Sequence, residues 1–238
     1  MSQSQWISKI ALMPNIELDE IVVTGRLVDA SNATLFGNLI TDEEFKVIYK
    51  PIAGERPLWD FPDKSLASRE LATYKLSEFL SLNLVPLTVL RDGPYGFGMV
   101  QKWMTDAQPK ELISVGQGDH PDLRKMVFFD YLINNADRKF GHILMATGGN
   151  LLGCDHGVTF HVENKLRTVL WQFAGMSITK DEESMLKMLL EGNLLDLFAG
   201  LLSEDEIAAL SNRAQELLEI RKLPNPPTDR PAIPWPPV

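Results

Sequence analysis

Asn134-Asn135-Ala136-Asp137-Arg138-Lys139-Phe140-Gly141-His142, followed by Cys154-Asp155-His156-Gly157, decides the reading of this 238-residue chain. An acid stands beside an arginine, a possible metal ligand comes five residues later, and a second acid, two residues before a glycine, comes thirteen after that. Phosphoryl transfer from a nucleotide needs such a set: one carboxylate near the acceptor hydroxyl, and further groups that hold a divalent cation on the phosphates. Asp137 suits the first role, because it follows the apolar helix containing Met126-Val127-Phe128-Phe129 and so sits on a loop fixed by a buried element. Arg138 can pair with a neighbouring carboxylate and hold that loop; the plainer alternative is a helix-terminal ion pair. Asp155 offers a hard carboxylate for the metal. His142 can offer an imidazole lone pair, but Mg²⁺ prefers oxygen, so the histidine would ligate weakly, favour Mn²⁺, or donate to phosphate directly. His156 is expected to pack or hydrogen-bond structurally, and His120 and His161 to be surface or satisfied core residues.

Upstream of this stretch, Val47-Ile48-Tyr49-Lys50-Pro51 puts an ammonium at the end of an apolar strand. Such a lysine usually just reaches solvent. Glu70, twenty residues on and on the next helix, gives it a carboxylate partner, and together they can hold nucleotide phosphates. Ser31-Asn32-Ala33-Thr34, between the first two strands, can present hydroxyl, amide and backbone N–H groups to phosphate oxygens. A polar hairpin loop stabilised by its own side chains would look the same. Neither a Walker motif nor a glycine-rich phosphate loop is present.

The surrounding pattern gives an α+β chain. Ile21–Val28, 35–40 and 45–50 read as three strands joined by short turns, an antiparallel meander. A helix is expected over about 65–82, then strands over 84–90 and 97–101 around the turn Asp92-Gly93-Pro94-Tyr95-Gly96. Beyond Gln101 helices dominate, over about 121–135, 181–200 and 203–222, the last opened by Ser203 with acids in its first turn. Residues 224–238 hold seven prolines and predict an extended arm, packed on the surface or disordered; a Pro-rich ligand for an SH3-like partner is the remoter reading. The expected organisation is two lobes with a cleft between them: residues 1–102, a sheet with one helix; 103–223, helical, carrying both turns; and the tail 224–238.

Composition narrows the partners. With 23 basic against 32 acidic residues the net charge is −9, which argues against nucleic acid or an anionic membrane as an obligate partner. The one cysteine, Cys154, permits no intrachain disulfide and no thiolate zinc cluster. No apolar run approaches a membrane span and no signal-peptide pattern opens the chain, so a soluble cytoplasmic protein without stable membrane insertion is expected.

These residues together resemble the phosphatidylinositol 3-/4-kinase superfamily, nearest its type II phosphatidylinositol 4-kinase branch, and a small actinobacterial kinase-like group of unassigned substrate. Tyr49-Lys50-Pro51 is similar to that family's strand lysine, and Ser68-Arg69-Glu70-Leu71-Ala72 with Leu84-Val85-Pro86-Leu87-Thr88 to its helix glutamate and following strand. Gly98-Met99-Val100-Gln101 resembles the approach to its adenine-binding hinge. Asn135-Ala136-Asp137-Arg138 resembles its catalytic loop, and Asp155-His156-Gly157 its metal-binding turn, with His142 where the family has asparagine. The resemblance implies a protein-kinase-like two-lobed fold and an ATP-dependent phosphotransferase using Mg²⁺ or Mn²⁺. It implies Asp137 as the catalytic residue, Asp155 and His142 as metal ligands, and Lys50, Glu70, Ser31, Asn32, Gln101 and Trp103 as nucleotide contacts. The phosphoryl acceptor stays open, as does oligomeric state. A nucleotide-binding pseudokinase or an AMP-transferring regulator on the same fold is the alternative, since His142 departs from the pattern.

Overall fold

The computed structural model describes residues 14–27, 32–41, 44–104, 109–146 and 148–238, the backbone alone over 109–112. The chain divides into two compact units: the described residues of Met1–Arg56 with Val89–Trp103, and those of Pro57–Thr88 with Met104–Val238.

Five strands build the first unit: β1 (Ile21–Arg26), β2 (Leu35–Leu39), β3 (Lys46–Pro51), β4 (Thr88–Gly93) and β5 (Gly96–Lys102), in the order β1-β2-β3-β5-β4. The three expected meander strands pair antiparallel, β1 as one strand with its register shifting between Val23 and Gly25. β3 pairs antiparallel with β5, setting Lys50 opposite Met99 and Ile48 opposite Gln101. Val47, Tyr49, Val89 and Val100 pack with Ile16, Ile21 and Leu39 as this unit's core. The Tyr49 hydroxyl donates to the Gly96 carbonyl and accepts the Tyr95 N–H at 3.2 Å, clamping the β4–β5 turn. Only glycine fits at position 98, since a Cβ there would stand 2.4 Å from the Lys50 carbonyl oxygen.

Residues 84–87, expected as strand, are not part of the sheet. Pro86 has no N–H to give a ladder, and Leu84 is committed elsewhere: its N–H goes to Ser77 Oγ and its carbonyl accepts the Gly153 N–H at 2.7 Å.

The second unit carries α1 (Leu66–Phe79), α2 (Pro109–Gly116), α3 (Pro121–Leu132), α4 (Lys180–Glu191), α5 (Leu194–Leu197) and α6 (Glu204–Ile220), with the hairpin β6 (Ile143–Met145) and β7 (Leu151–Gly153). α2 has no counterpart among the expected helices. The single helix expected over 181–200 is two: a Cβ at Gly192 would meet the Phe79 ring at 2.6 Å, and Asn193 caps the new start by accepting the Asp196 N–H. α6 opens with the reciprocal Ser203–Glu206 capping box, satisfying two end donors.

α1 was expected with the sheet, but its contacts belong to the second unit. Ala72, Leu76 and Leu80 join Leu123, Val127, Phe128, Leu186, Leu210, Ala214 and Leu217 in one core. Its polar residues point the same way, with buried Arg69 donating to the Thr159 carbonyl at 2.6 Å and pairing with Glu206 of α6. Among the described residues no helix is long and apolar enough to cross a membrane.

Candidate active site

α3 stops at Leu132 because Asn134 takes a left-handed conformation (φ 54°), which asparagine tolerates better than most residues. Its amide then acts as a hub: Nδ2 donates to the carbonyls of His161 and Glu163 at 2.8 and 2.6 Å, and Oδ1 accepts the Lys165 N–H at 2.8 Å. Asn135 turns the other way, donating to Asp130 Oδ1 at 2.9 Å and accepting the Asp137 N–H at 3.0 Å. The loop is thereby fixed on both sides while the Asp137 carboxylate stays accessible: its side chain is 28% exposed and 3.1 Å from Lys139 Nζ.

Arg138 does more than hold its own loop. Its guanidinium is fully buried, as is the carboxylate of Asp130, which accepts from Nε and Nη2 at 2.9 and 2.8 Å. Nη1 reaches the carbonyls of His142 at 3.1 Å and Cys154 at 3.3 Å, and Nη2 donates to His156 Nε2 at 2.7 Å. One cation therefore joins the Asp137 loop to the Asp155 turn. Burial alone would weaken its charge, but the Asp130 carboxylate more than offsets that and holds the guanidinium protonated. Gly153 makes room, since a Cβ would stand 3.0 Å from both terminal nitrogens.

Because a guanidinium only donates, His156 Nε2 must carry the lone pair, and the ring is the neutral Nδ1–H tautomer. Its backbone N–H donates to Glu70 Oε2 at 2.9 Å, so the helix glutamate holds the acid-bearing turn. His156 is thus structural, as expected.

The thirteen-residue spacing between His142 and Asp155 has a simple origin. β6 and β7 pair antiparallel with Ile143 opposite Gly153, so the residues flanking the hairpin come back together. The Cys154 N–H donates to the His142 carbonyl at 3.0 Å, and His142 Nε2 lies 3.3 Å from Asp155 Oδ2. Asp155 is left-handed (φ 58°), and its side chain is 46% exposed. Burial lowers the His142 pKa despite the neighbouring Asp155, so the ring is neutral and free to donate a lone pair. Its Nδ1 is buried without a hydrogen-bond partner among the described residues.

As a cation site, His142 and Asp155 supply one nitrogen and one oxygen donor. Among the described residues no cluster of three or more such side chains exists. That fits an ion held mainly by phosphates and water rather than by a protein cage.

Of the remaining expected residues, Lys50, Gln101 and Trp103 lie in the first unit. Lys50 is half-buried at the end of β3 and Gln101 is buried in β5; Trp103 packs edge-on to Phe36 at 5.5 Å. Asn32 accepts the Arg56 N–H at 2.8 Å, and Ser31 lies outside the described residues. Asp130 was missed, although an acid inside Val127-Phe128-Phe129-Asp130-Tyr131-Leu132 announces a buried cation partner. His120 caps α3 by accepting the Asp122 N–H, and His161 packs edge-on to Phe61.

This architecture is that of the kinase-like α+β fold. The chain is similar to the structure of hydra Fam20 with sugar, at 14% identity and a TM-score of 0.59, over 92% of this chain and 88% of that one. It is similar as well to the Golgi casein kinase with Mn/ADP bound, at 12% identity and a TM-score of 0.55, over 92% of this chain and 76% of that one. No family model matches. Over 258 aligned residues the chain is 42% identical to Protein Rv2133c of Mycobacterium tuberculosis, spanning 91% of this chain and 92% of that protein; it belongs to that protein's family.

Proposed function

We propose that this protein is an ATP-dependent phosphotransferase of the phosphatidylinositol 3-/4-kinase-like type, acting on a hydroxyl of a small molecule or protein. The observation that carries the reading is the Arg138 junction, which fixes an accessible acid on one turn relative to an accessible acid beside a neutral histidine on the other. Few purely structural demands would have one buried guanidinium join two turns that each carry a solvent-accessible carboxylate.

In this reading Asp137 orients the acceptor hydroxyl and takes its proton. The hydroxyl oxygen bonds to the γ-phosphorus, the bond to the β–γ bridging oxygen breaks, and ADP leaves. Lys50 neutralises phosphate charge, Glu70 holds the Asp155 turn through the His156 N–H, Ser31 and Asn32 contact phosphates, and Gln101 and Trp103 the adenine. Asp155 and His142 hold a divalent cation, Mg²⁺ or Mn²⁺, which when bound neutralises the charge developing on the phosphates. The Golgi casein kinase solved with Mn/ADP supports the pairing of nucleotide and divalent ion on this fold. A net charge of −9 disfavours a polyanionic lipid as acceptor.

One observation favours a second reading. Histidine at position 142, in place of the asparagine of the resembling family, fits a nucleotide-binding regulator without turnover, or one that transfers AMP. Incubation with α- and γ-labelled ATP in Mg²⁺ or Mn²⁺ separates these. Phosphotransfer releases or transfers the γ label, AMP transfer leaves the α label on protein or acceptor, and binding without release of either denotes the regulator.

A further inference from the structure

The proline-rich segment is not a loose tail. Its chemistry is that of an acceptor rail: prolines lack N–H groups but keep their carbonyls, and their fixed φ lowers the entropy lost on ordering. Two carbonyls of the segment, one of Ala232 and one of a proline, are used. Ala232 O accepts both the Thr168 N–H at 3.0 Å and the Trp171 indole N–H at 2.9 Å. Pro237 O accepts the Phe140 N–H at 2.9 Å. Arg230 reaches Asn164 Oδ1 at 2.9 Å, and Pro234 is buried.

Both main-chain anchor points bear on the Asp137 loop. Phe140 lies between Asp137 and His142 and starts the short 3-10 turn Phe140–His142, where a leading N–H has no acceptor within the turn. Thr168 is bridged to Arg138, whose N–H goes to the Arg167 carbonyl and whose carbonyl accepts the Val169 N–H, each at 3.1 Å. The segment thus fastens the loop from its far side at Phe140 and through the strand-like backing behind Arg138. Between the fastenings, Ile233, Trp235 and Pro237 line an open hollow of about 520 Å³ with Phe140, Val169 and Gln172.

We infer that residues 230–238 are a positioning strap for the proposed active site, holding Asp137 and His142 in register through the Phe140 and Thr168 amides. The inference deepens the phosphotransfer reading and rests on it for its functional half.

The test compares the full chain with a variant ending at Pro231 and with Trp171→Phe, which keeps an aromatic ring but loses the indole donor. Amide hydrogen exchange is followed at Phe140, Thr168 and, as a reference, α6; Mn²⁺·ATP binding and steady-state turnover are measured beside it. Truncation is expected to raise exchange at Phe140 and Thr168 by about tenfold while α6 stays protected. Turnover should fall by about tenfold with nucleotide affinity nearly unchanged, and Trp171→Phe should show a smaller shift confined to Thr168. Unchanged exchange at both amides overturns the strap. An equal rise in α6, or faster local exchange with unchanged turnover, reduces it to ordinary packing and also overturns it. A full chain that binds no nucleotide and turns over none defeats the phosphotransfer reading, while the exchange data still judge the fastening.

Discussion

Arg138 and Asp130 face each other with no solvent exposure on either side chain, two hydrogen bonds of 2.9 and 2.8 Å joining guanidinium to carboxylate. Removing one member leaves the other charge buried, which costs about 3–5 kcal/mol. Asp130→Asn should lower unfolding stability by that amount, read from urea denaturation followed by circular dichroism. Arg138→Lys should cost a similar amount, because an ammonium cannot hold Asp130, the His142 and Cys154 carbonyls and His156 together. A loss of under 1 kcal/mol in both would mean the junction is not structural.

The two solvent-accessible acids should behave in the opposite way. Asp137→Asn and Asp155→Asn touch side chains that keep 28% and 46% exposure, so stability should move by no more than about 0.5 kcal/mol. Phosphoryl transfer should fall by about 10²–10⁴ in Asp137→Asn, with nucleotide affinity retained. Asp155→Asn should lose both turnover and metal-dependent nucleotide binding. Calorimetric titration with Mn²⁺·ADP distinguishes the two, and identical behaviour would remove their separate roles.

How much of this was legible follows from which signals are local. Asp137, His142 and Asp155 stood out because their spacing is chemical, and the β6–β7 register shows why thirteen residues separate the last two. Arg138 is expected to find a carboxylate, and an acid within an apolar helical run hints at a buried charge at Asp130, but nothing local pairs the two. The structure supplies the partner, with both side chains fully buried. Residues 84–87 had strand composition, yet Leu84 spends its groups on Ser77 and Gly153. The place of α1 was decided by Arg69–Glu206, a pair 137 residues apart that no local window contains. The proline-rich segment gave its extended conformation away through φ restriction, but its docking partners Phe140 and Thr168 are long-range and carried no local mark.

Asp122 makes an acid-dependent contribution to stability. Burial would raise its pKa, but the Lys125 ammonium at 2.7 Å and the Leu151 N–H at 3.0 Å outweigh that and hold it below the ordinary aspartate value. A folded pKa depressed below the unfolded one means the stabilisation is complete above the unfolded value, about 3.9, and is lost as pH falls through the folded one. Asp122→Asn should therefore flatten the stability profile below about pH 4 and lower stability near neutrality. Urea midpoints measured between pH 2.5 and 7 test it. A variant with the same acid slope as the parent would place the titrating group elsewhere.

His142 should set metal preference. Its ring is neutral because burial outweighs the attraction of Asp155, and Nε2 stands 3.3 Å from that carboxylate, so the pair can share one ion. A nitrogen donor favours Mn²⁺ over Mg²⁺, whereas an amide oxygen reverses the bias. In the presence of ADP, His142→Asn should weaken Mn²⁺ binding by about tenfold while Mg²⁺ binding holds or improves. Mn²⁺ paramagnetic resonance, with Mg²⁺ as competitor, reads this without relying on turnover. Equal competition curves for parent and variant would take His142 out of the coordination shell and leave Asp155 as the single protein donor of the pair.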